Sequence, residues 1–160
     1  MKPIITKIHN FMIKNNKTIA VAESCTGGII SSSLTELSGS SKYFILGAVT
    51  YSNKTKENIL KIPHKVIVEN GAVSEAVALL MAKNIRKIAK ADFGIGITGI
   101  AGPTGGSPQK PIGTVFIAVS DENKTICKKF KFKGTRSQIR KKSALEAFEL
   151  FLTKSNYSSF

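Results

Sequence analysis

One short stretch constrains this chain more than any other. An apolar run, Ile19-Ala20-Val21, passes straight into Ala22-Glu23-Ser24-Cys25-Thr26-Gly27-Gly28 and then into a segment of helical character. Lys17 to Ala22 predicts a short strand and Gly27 to Leu37 a helix, so Ser24 falls where a strand ends and a helix begins. In an α/β fold that junction offers unpaired N–H groups and a partial positive charge, which favour a nucleophile or a bound anion. The local pattern alone leaves two readings of Ser24. It is a helix N-cap, the commoner fate of a serine before Thr-Gly-Gly, or it is a nucleophile. Cys25 is a rival nucleophile, because a helix N-terminus lowers a thiol pKa, or simply a small buried residue.

The rest of the chain alternates in the same way. Residues 3–15 carry Ile4, Ile5, Ile8, Phe11 and Met12 at helical spacing, with Pro3 near the start. Tyr43 to Tyr51 predicts a buried strand, and Ser52 or Asn53 caps a short helix from Lys54 to Leu60. Ser74 caps a long helix to about Lys90, with Val77, Leu80, Met81, Ile85 and Ile88 on one face. Asp92 to Thr98 predicts a strand, followed by a glycine- and proline-rich loop from Gly99 to Pro111. Gly113 to Ser120 and Thr125 to Lys133 form a hairpin whose Phe130 and Phe132 point inward while Lys129, Lys131 and Lys133 point out. Arg136 to Leu152 is the last helix, with Ile139, Leu145, Phe148 and Leu152 inward, and the polar tail after about residue 153 is expected to fray. This order implies one domain over residues 1–160, a three-layer α/β/α sandwich with a mixed sheet.

Composition excludes several classes. No apolar run approaches the roughly 20 residues of a membrane span, and residues 1–7 lack a signal-peptide core. Two cysteines, Cys25 and Cys127, make no disulfide framework. A cytoplasmic location is expected. The formal net charge is +14, and nine basic residues with no acid lie between Lys124 and Lys142. Such a run can attract nucleic acid or a phosphorylated small molecule, but it is more often a solvated lysine face.

The choice of catalytic chemistry is narrowed by what is scarce. The only histidines are His9, in the first helix, and His64, placed after Pro63 in a loop. Neither has motif support for a triad. No metal-ligand spacing, dinucleotide fingerprint or P-loop occurs. A serine nucleophile without histidine needs another base, and a buried lysine can serve if its pKa falls toward neutrality. Lys56, one helical turn beyond Tyr51-Ser52-Asn53, is the best placed, provided the two strands are parallel neighbours. Glu23 reads as a buried hydrogen-bonding scaffold, Tyr51 as a site residue at a strand end, and Cys127 as a strand residue without a role.

Six blocks, in order, make the sequence recognisable. They are Ala22-Glu23-Ser24-Cys25-Thr26-Gly27-Gly28, Gly39-Ser40-Ser41, Tyr51-Ser52-Asn53 with Lys56, Gly71-Ala72-Val73-Ser74-Glu75, Thr98-Gly99-Ile100-Ala101-Gly102-Pro103, and Lys110-Pro111-Ile112-Gly113-Thr114-Val115. Together they resemble the CinA C-terminal domain family, and Arg136 and Arg140 fit the following helix. Lys61 departs from the pattern, since relatives usually have glycine there. Stand-alone members resemble nicotinamide-nucleotide amidohydrolases, whereas longer members carry a further N-terminal domain that is not among these 160 residues.

The resemblance implies deamidation of nicotinamide mononucleotide (NMN) to nicotinate mononucleotide and ammonia, in pyridine nucleotide recycling. It implies a Ser24/Lys56 dyad with Tyr51 in the same site, no metal or cofactor, and a homodimer. Backbone N–H groups of Thr26, Gly27 and Gly28 are expected to hold the oxyanion. Ser41, Asn53, Thr98, Gly99, Ala101, Gly102 and either Arg136 or Arg140 are expected around the substrate. The competing reading is a nucleic-acid-binding or competence-associated accessory module without catalysis. It is disfavoured because Phe130 and Phe132 should be turned inward and so offer no stacking platform.

Overall fold

The computed structural model describes residues 1–155. Five strands form one mixed sheet in the order β2-β1-β3-β4-β5. β1 (Ile19–Glu23) lies between β2 (Phe44–Val49) and β3 (Phe93–Gly99), parallel to both. β4 (Thr114–Ser120) and β5 (Thr125–Lys131) continue the sheet antiparallel. Helices α1 (Lys2–Lys14), α2 (Ile29–Leu34) and α6 (Arg136–Lys154) cover one face, where Ile8, Met12, Ile30, Phe148 and Phe151 pack on Ile19, Val21, Ile95 and Ile117. On the other face α4 (His64–Asn70) and α5 (Glu75–Ala89) pack Ile67, Val77, Met81 and Ile85 onto Ala20 and Ala22, and α3 (Asn53–Asn58) leads into that layer through Leu60 and Ile62. This is the expected three-layer α/β/α sandwich with a mixed sheet.

The central strands explain the tight layering. β1 is Ile-Ala-Val-Ala-Glu and buried throughout. β3 places Gly94 and Gly96 under α5, where an added Cβ would lie 2.2 Å from the Ala82 carbonyl and 2.4 Å from the Ala82 nitrogen. Only glycine lets the helix backbone come that close to a strand. Ala20, Ala22, Gly94 and Gly96 are therefore directed at α5, while the opposite face carries Ile19, Val21, Phe93, Ile95 and Ile97.

Several expectations need correction. Tyr43 to Tyr51 is not a fully buried strand. β2 is a sheet edge that alternates between half-buried and exposed residues, with Ile45 and Val49 each 48% exposed. The helix expected over 27–37 is regular only from Ile29 to Leu34, because Gly28 enters it at φ +98°. His64 does not sit in a loop. It begins α4, and Pro63 precedes the helix in an extended conformation. Ile88 and Leu145, expected inward, are exposed, whereas Phe130 and Phe132 do pack against the core and stack on each other. Helical structure persists to Lys154, whose ammonium pairs with Asp121. The rest of the tail, which was expected to fray, lies outside the described residues. Among the described residues no helix is long and apolar enough to cross a membrane.

Candidate active site

The C-terminal ends of the three parallel strands bring together the segments around Ser24, Tyr51 to Lys56, and Thr98 to Gly102. Glu23 ends β1, and the turn after it is stitched to both neighbours. Thr50 N–H donates to Glu23 O (2.8 Å), and Ser24 N–H donates to Ile97 O (3.1 Å). The Glu23 side chain is fully buried and points into the start of α2. Its carboxylate accepts the N–H groups of Gly28 (3.0 Å), Ile30 (3.1 Å) and Ser31 (2.8 Å), and the Ser31 hydroxyl (2.7 Å). Glu23 is thus a built-in anion at the helix N-terminus, the scaffold role that its position suggested.

This alters the expected oxyanion cradle. The Gly28 N–H is committed to Glu23, and the Gly27 N–H donates to Ser24 O at 3.1 Å. Among the described residues, the N–H groups of Cys25 and Thr26 donate to no other residue. Of the three expected donors only Thr26 remains, joined by the residue immediately after Ser24.

Opposite Ser24 stands Lys56. Ser52 caps α3 with a reciprocal capping box to Thr55, which fixes the first turn and turns Lys56 inward. Its side chain is 1% exposed. Nζ donates to Thr50 O (2.7 Å) and to Ser24 Oγ (3.0 Å). Burial brings the Lys56 pKa down from 10.5 to about 8, with a smaller opposing influence from Cys25. A pKa near 8 leaves roughly a tenth of the amine neutral at pH 7. In that form Nζ keeps an N–H on Thr50 O and accepts the Ser24 hydroxyl proton with its lone pair. Cys25 shows the reverse trend, because burial pushes its thiol up to about 12. Its own backbone N–H, Lys56 and Arg140 all act to lower it, but burial outweighs them and the Glu23 carboxylate adds to the rise.

The two arginines of α6 have different tasks. Arg140 donates through Nε (3.2 Å) and Nη2 (2.7 Å) to Thr26 O, clamping the turn after Ser24 from behind. Gly27 accommodates it: at φ +59°, an added Cβ would lie 3.1 Å from Arg140 Nη2. Arg136 instead faces the cavity, donating through Nη1 to Gly102 O (2.6 Å) and through Nη2 to Tyr51 Oη (2.7 Å).

Together these groups line an open pocket of ≈ 250 Å³. Ser24, Tyr51, Asn53, Lys56, Thr98, Gly99, Ala101, Gly102 and Arg136 all border it. Thr98 hydroxyl donates to Ala72 O (2.8 Å) and holds the start of the α5 segment against β3. Thr26, Gly27, Gly28 and Arg140 form the wall behind Ser24 rather than the lining. Ser41 does not join the site. It lies in a 3-10 turn before β2, at the opposite end of the parallel strands. Ala72 and Val73 line the pocket unforeseen, although their block was legible as a family marker. No sequence signal pointed to the Thr50 carbonyl, a backbone group. Neither histidine reaches Ser24: His9 contacts Tyr43 and His64 pairs with Glu57. Among the described residues no group of three His, Cys, Asp or Glu side chains is arranged for a metal ion.

Comparison with known proteins gives the family and the fold. The profile of the CinA C-terminal domain matches residues 1–155. A CinA-like protein of Syntrophus aciditrophicus is 52% identical over 124 residues, covering 77% of this chain and 30% of its own length. A CinA-like protein of Geobacter metallireducens is 45% identical over 146 residues, covering 91% of this chain and 35% of its own length. The chain therefore spans about a third of the length of these curated relatives. The crystal structure of competence damage-inducible protein A from Klebsiella pneumoniae superposes with a TM-score of 0.93 at 29% identity, covering 98% of each chain. That of competence/damage inducible protein CihA from Agrobacterium tumefaciens gives 0.92 at 34% identity, covering 94% of this chain and 93% of that one. The chain belongs to the CinA C-terminal domain family.

Proposed function

We propose that this domain is a cytoplasmic amidohydrolase that deamidates NMN to nicotinate mononucleotide and ammonia through a Ser24 acyl-enzyme, in pyridine nucleotide recycling. The observation that carries the reading is the buried contact of 3.0 Å between Lys56 Nζ and Ser24 Oγ. Lys56 belongs to the only cation class that burial can convert into a base near neutral pH, since arginine stays charged.

The steps follow acyl-transfer chemistry. Neutral Lys56 takes the Ser24 hydroxyl proton as Oγ adds to the carboxamide carbon. The carbonyl oxygen becomes an oxyanion beside the uncommitted N–H of Cys25, which borders the pocket, with the Thr26 N–H next in the turn; a donor of this kind is typically worth about 3–4 kcal/mol. Lys56 returns the proton to the amide nitrogen, the C–N bond breaks and ammonia leaves. Water then adds to the acyl-enzyme with Lys56 again as base, and Ser24 is restored as the carboxylate product departs. Arg136, held between Tyr51 and Gly102, supplies the cation for a substrate phosphate. The glycine-rich loop at Gly99, Ala101, Gly102 and Gly105 lets backbone approach the ligand. Tyr51 positions Arg136 and borders the reacting group.

The same proposal takes the functional unit to be a homodimer, which sedimentation equilibrium tests. The competing reading, a nucleic-acid-binding or competence-associated accessory module, rests on the basic run from Lys124 to Lys142 and on the competence association of the family's name. Phe130 and Phe132 are spent on the core and on each other, with ring centroids 5.5 Å apart, and retention on DNA that vanishes at physiological salt would reflect bulk charge alone. The test of the amidohydrolase is direct. Purified protein is incubated with NMN, and ammonia and nicotinate mononucleotide are quantified. Equal molar release of both is expected, and no release of either sinks the proposal.

A further inference from the structure

A second polar region lies at the opposite end of the sheet. Ile19 pairs with Phe93 and Glu23 with Ile97, so the Phe93 end of β3 is four residue steps, about 13 Å, from the Ser24 end. Here the last turns of α5 and the β4–β5 turn enclose a groove. Its two lobes, ≈ 260 and ≈ 310 Å³, share Arg86 and residues 121–123. Arg86 stands in the middle. Its Cβ is held against the strand, since a Cβ built on Gly94 would lie 2.7 Å from it. Its Nε is buried without a hydrogen-bond acceptor, and its guanidinium makes no hydrogen bond or ion pair among the described residues. Arg86 as a whole is half-buried, but its Nε–H lies out of water with no acceptor, a costly state that a bound oxyanion would relieve.

The surrounding charge supports the same ligand. Lys83, Lys87 and Lys124 line one lobe with Arg86, and none of their ammonium groups is paired among the described residues. The acids of the groove are mostly committed. Asp92 accepts from Lys17 and from the Thr18 N–H and hydroxyl. Asp121 accepts from Lys154 and from the Asn123 and Lys124 N–H groups. Only Glu122 is uncommitted, and it lies within electrostatic reach of Lys17. With Lys90, which lines the other lobe, five unpaired cations among the described residues therefore face one unpaired carboxylate.

We propose that Arg86, with Lys83, Lys87 and Lys124, forms a second ligand site for a phosphate-class oxyanion, separate from the Ser24 pocket. Phosphate suits the pattern because a planar guanidinium presents parallel N–H donors to two of its oxygens, and mobile lysines close around the rest.

The test follows the arginine Nε–H resonances of the full chain by 1H–15N NMR, and its melting temperature, during titration with sodium pyrophosphate at constant ionic strength. The expected result is a saturable shift of the Arg86 signal and a rise in melting temperature. Arg86→Met, which keeps the apolar stem over Gly94, should weaken binding at least tenfold. The Lys87→Ala/Lys124→Ala pair, on exposed side chains, should weaken it several-fold and serves if Arg86→Met fails to fold. Arg136→Ala in the other pocket should leave the Arg86 shift intact. AMP as a parallel titrant identifies the source: affinity equal to pyrophosphate points to a free oxyanion, tighter binding to a nucleotide. An Arg86 signal that does not move, or one that NaCl at matched ionic strength moves equally, overturns the site and reduces these cations to a solvated basic face at the α5 C-terminus.

Discussion

Lys56 Nζ sits between two oxygens, 2.7 Å from the Thr50 carbonyl and 3.0 Å from Ser24 Oγ. The carbonyl belongs to the residue that follows β2, and the hydroxyl to the residue that follows β1. Parallel pairing of Glu23 with Val49 puts them side by side. The strand register thus determines the dyad, and the lysine carries its own orienting acceptor in the main chain.

The pH dependence follows from that burial. The neutral amine is the reactive form and the Lys56 pKa is lowered to about 8. The rate constant kcat/KM for ammonia release should rise about tenfold per pH unit below that value and level off above it. A profile measured from pH 5.5 to 9.5 that is flat, or that falls across pH 7 to 8, contradicts Lys56 as the base.

A functional lysine in the core should cost stability. Its folded pKa lies below the ordinary 10.5, so between about pH 8 and 10.5 the unfolded chain binds the extra proton and stability rises with pH. Below pH 8 the full penalty applies. Lys56→Met should therefore stabilise the protein by about 1–2 kcal/mol at pH 7, after allowing for the acceptor it leaves unpaired at Thr50 O. The advantage should shrink toward pH 10. Urea unfolding of both proteins at pH 7 and pH 9.5 measures it.

Glu23 ties the turn carrying Ser24 to α2 through four hydrogen bonds on a fully buried carboxylate. Glu23→Gln removes the charge and turns an NH2 toward backbone donors. A loss of about 2–4 kcal/mol in stability is expected, with a parallel fall in kcat. Unchanged unfolding midpoints would show that the carboxylate is not what holds the turn.

The arginines should separate kinetically. Arg136 borders the pocket, and Arg140 touches only the wall behind Ser24. Arg136→Ala should raise KM for NMN by about tenfold or more. Arg140→Ala should lower kcat with a smaller change in KM. The opposite split would exchange their roles.

The sequence disclosed the parts of this site that depend on side-chain type at a strand end. Ser24, Lys56, Tyr51 and the glycine-rich loop were all legible, and the parallel pairing of β1 with β2 meets the condition that the choice of Lys56 required. Lys61 is instructive. The resemblance implies glycine there, and Lys61 adopts φ +55°, a conformation that costs a non-glycine residue about 1–2 kcal/mol. Less legible were features set by hydrogen-bond competition. The pattern Glu23-Ser24 through Gly28 suggested free N–H groups at a helix start. Nothing in it said that the preceding glutamate would fold back and take them. Ser41 was misplaced because motif order along the chain does not say which end of a strand a block occupies. The exposed face of β2 escaped because Phe44, Ile45 and Val49 read as buried until the strand is known to be an edge. The Arg136–Tyr51 contact spans 85 residues and depends on how α6 lies across the pocket.

The central claim is that Ser24, and not its neighbour Cys25, is the nucleophile. Turnover of NMN by wild type, Ser24→Ala and Cys25→Ala, measured as ammonia released per mole of folded protein, decides it. Ser24→Ala should lose at least about 10³-fold, and Cys25→Ala should turn over at a near-normal rate. Full activity in Ser24→Ala, or abolition by Cys25→Ala alone, would contradict it.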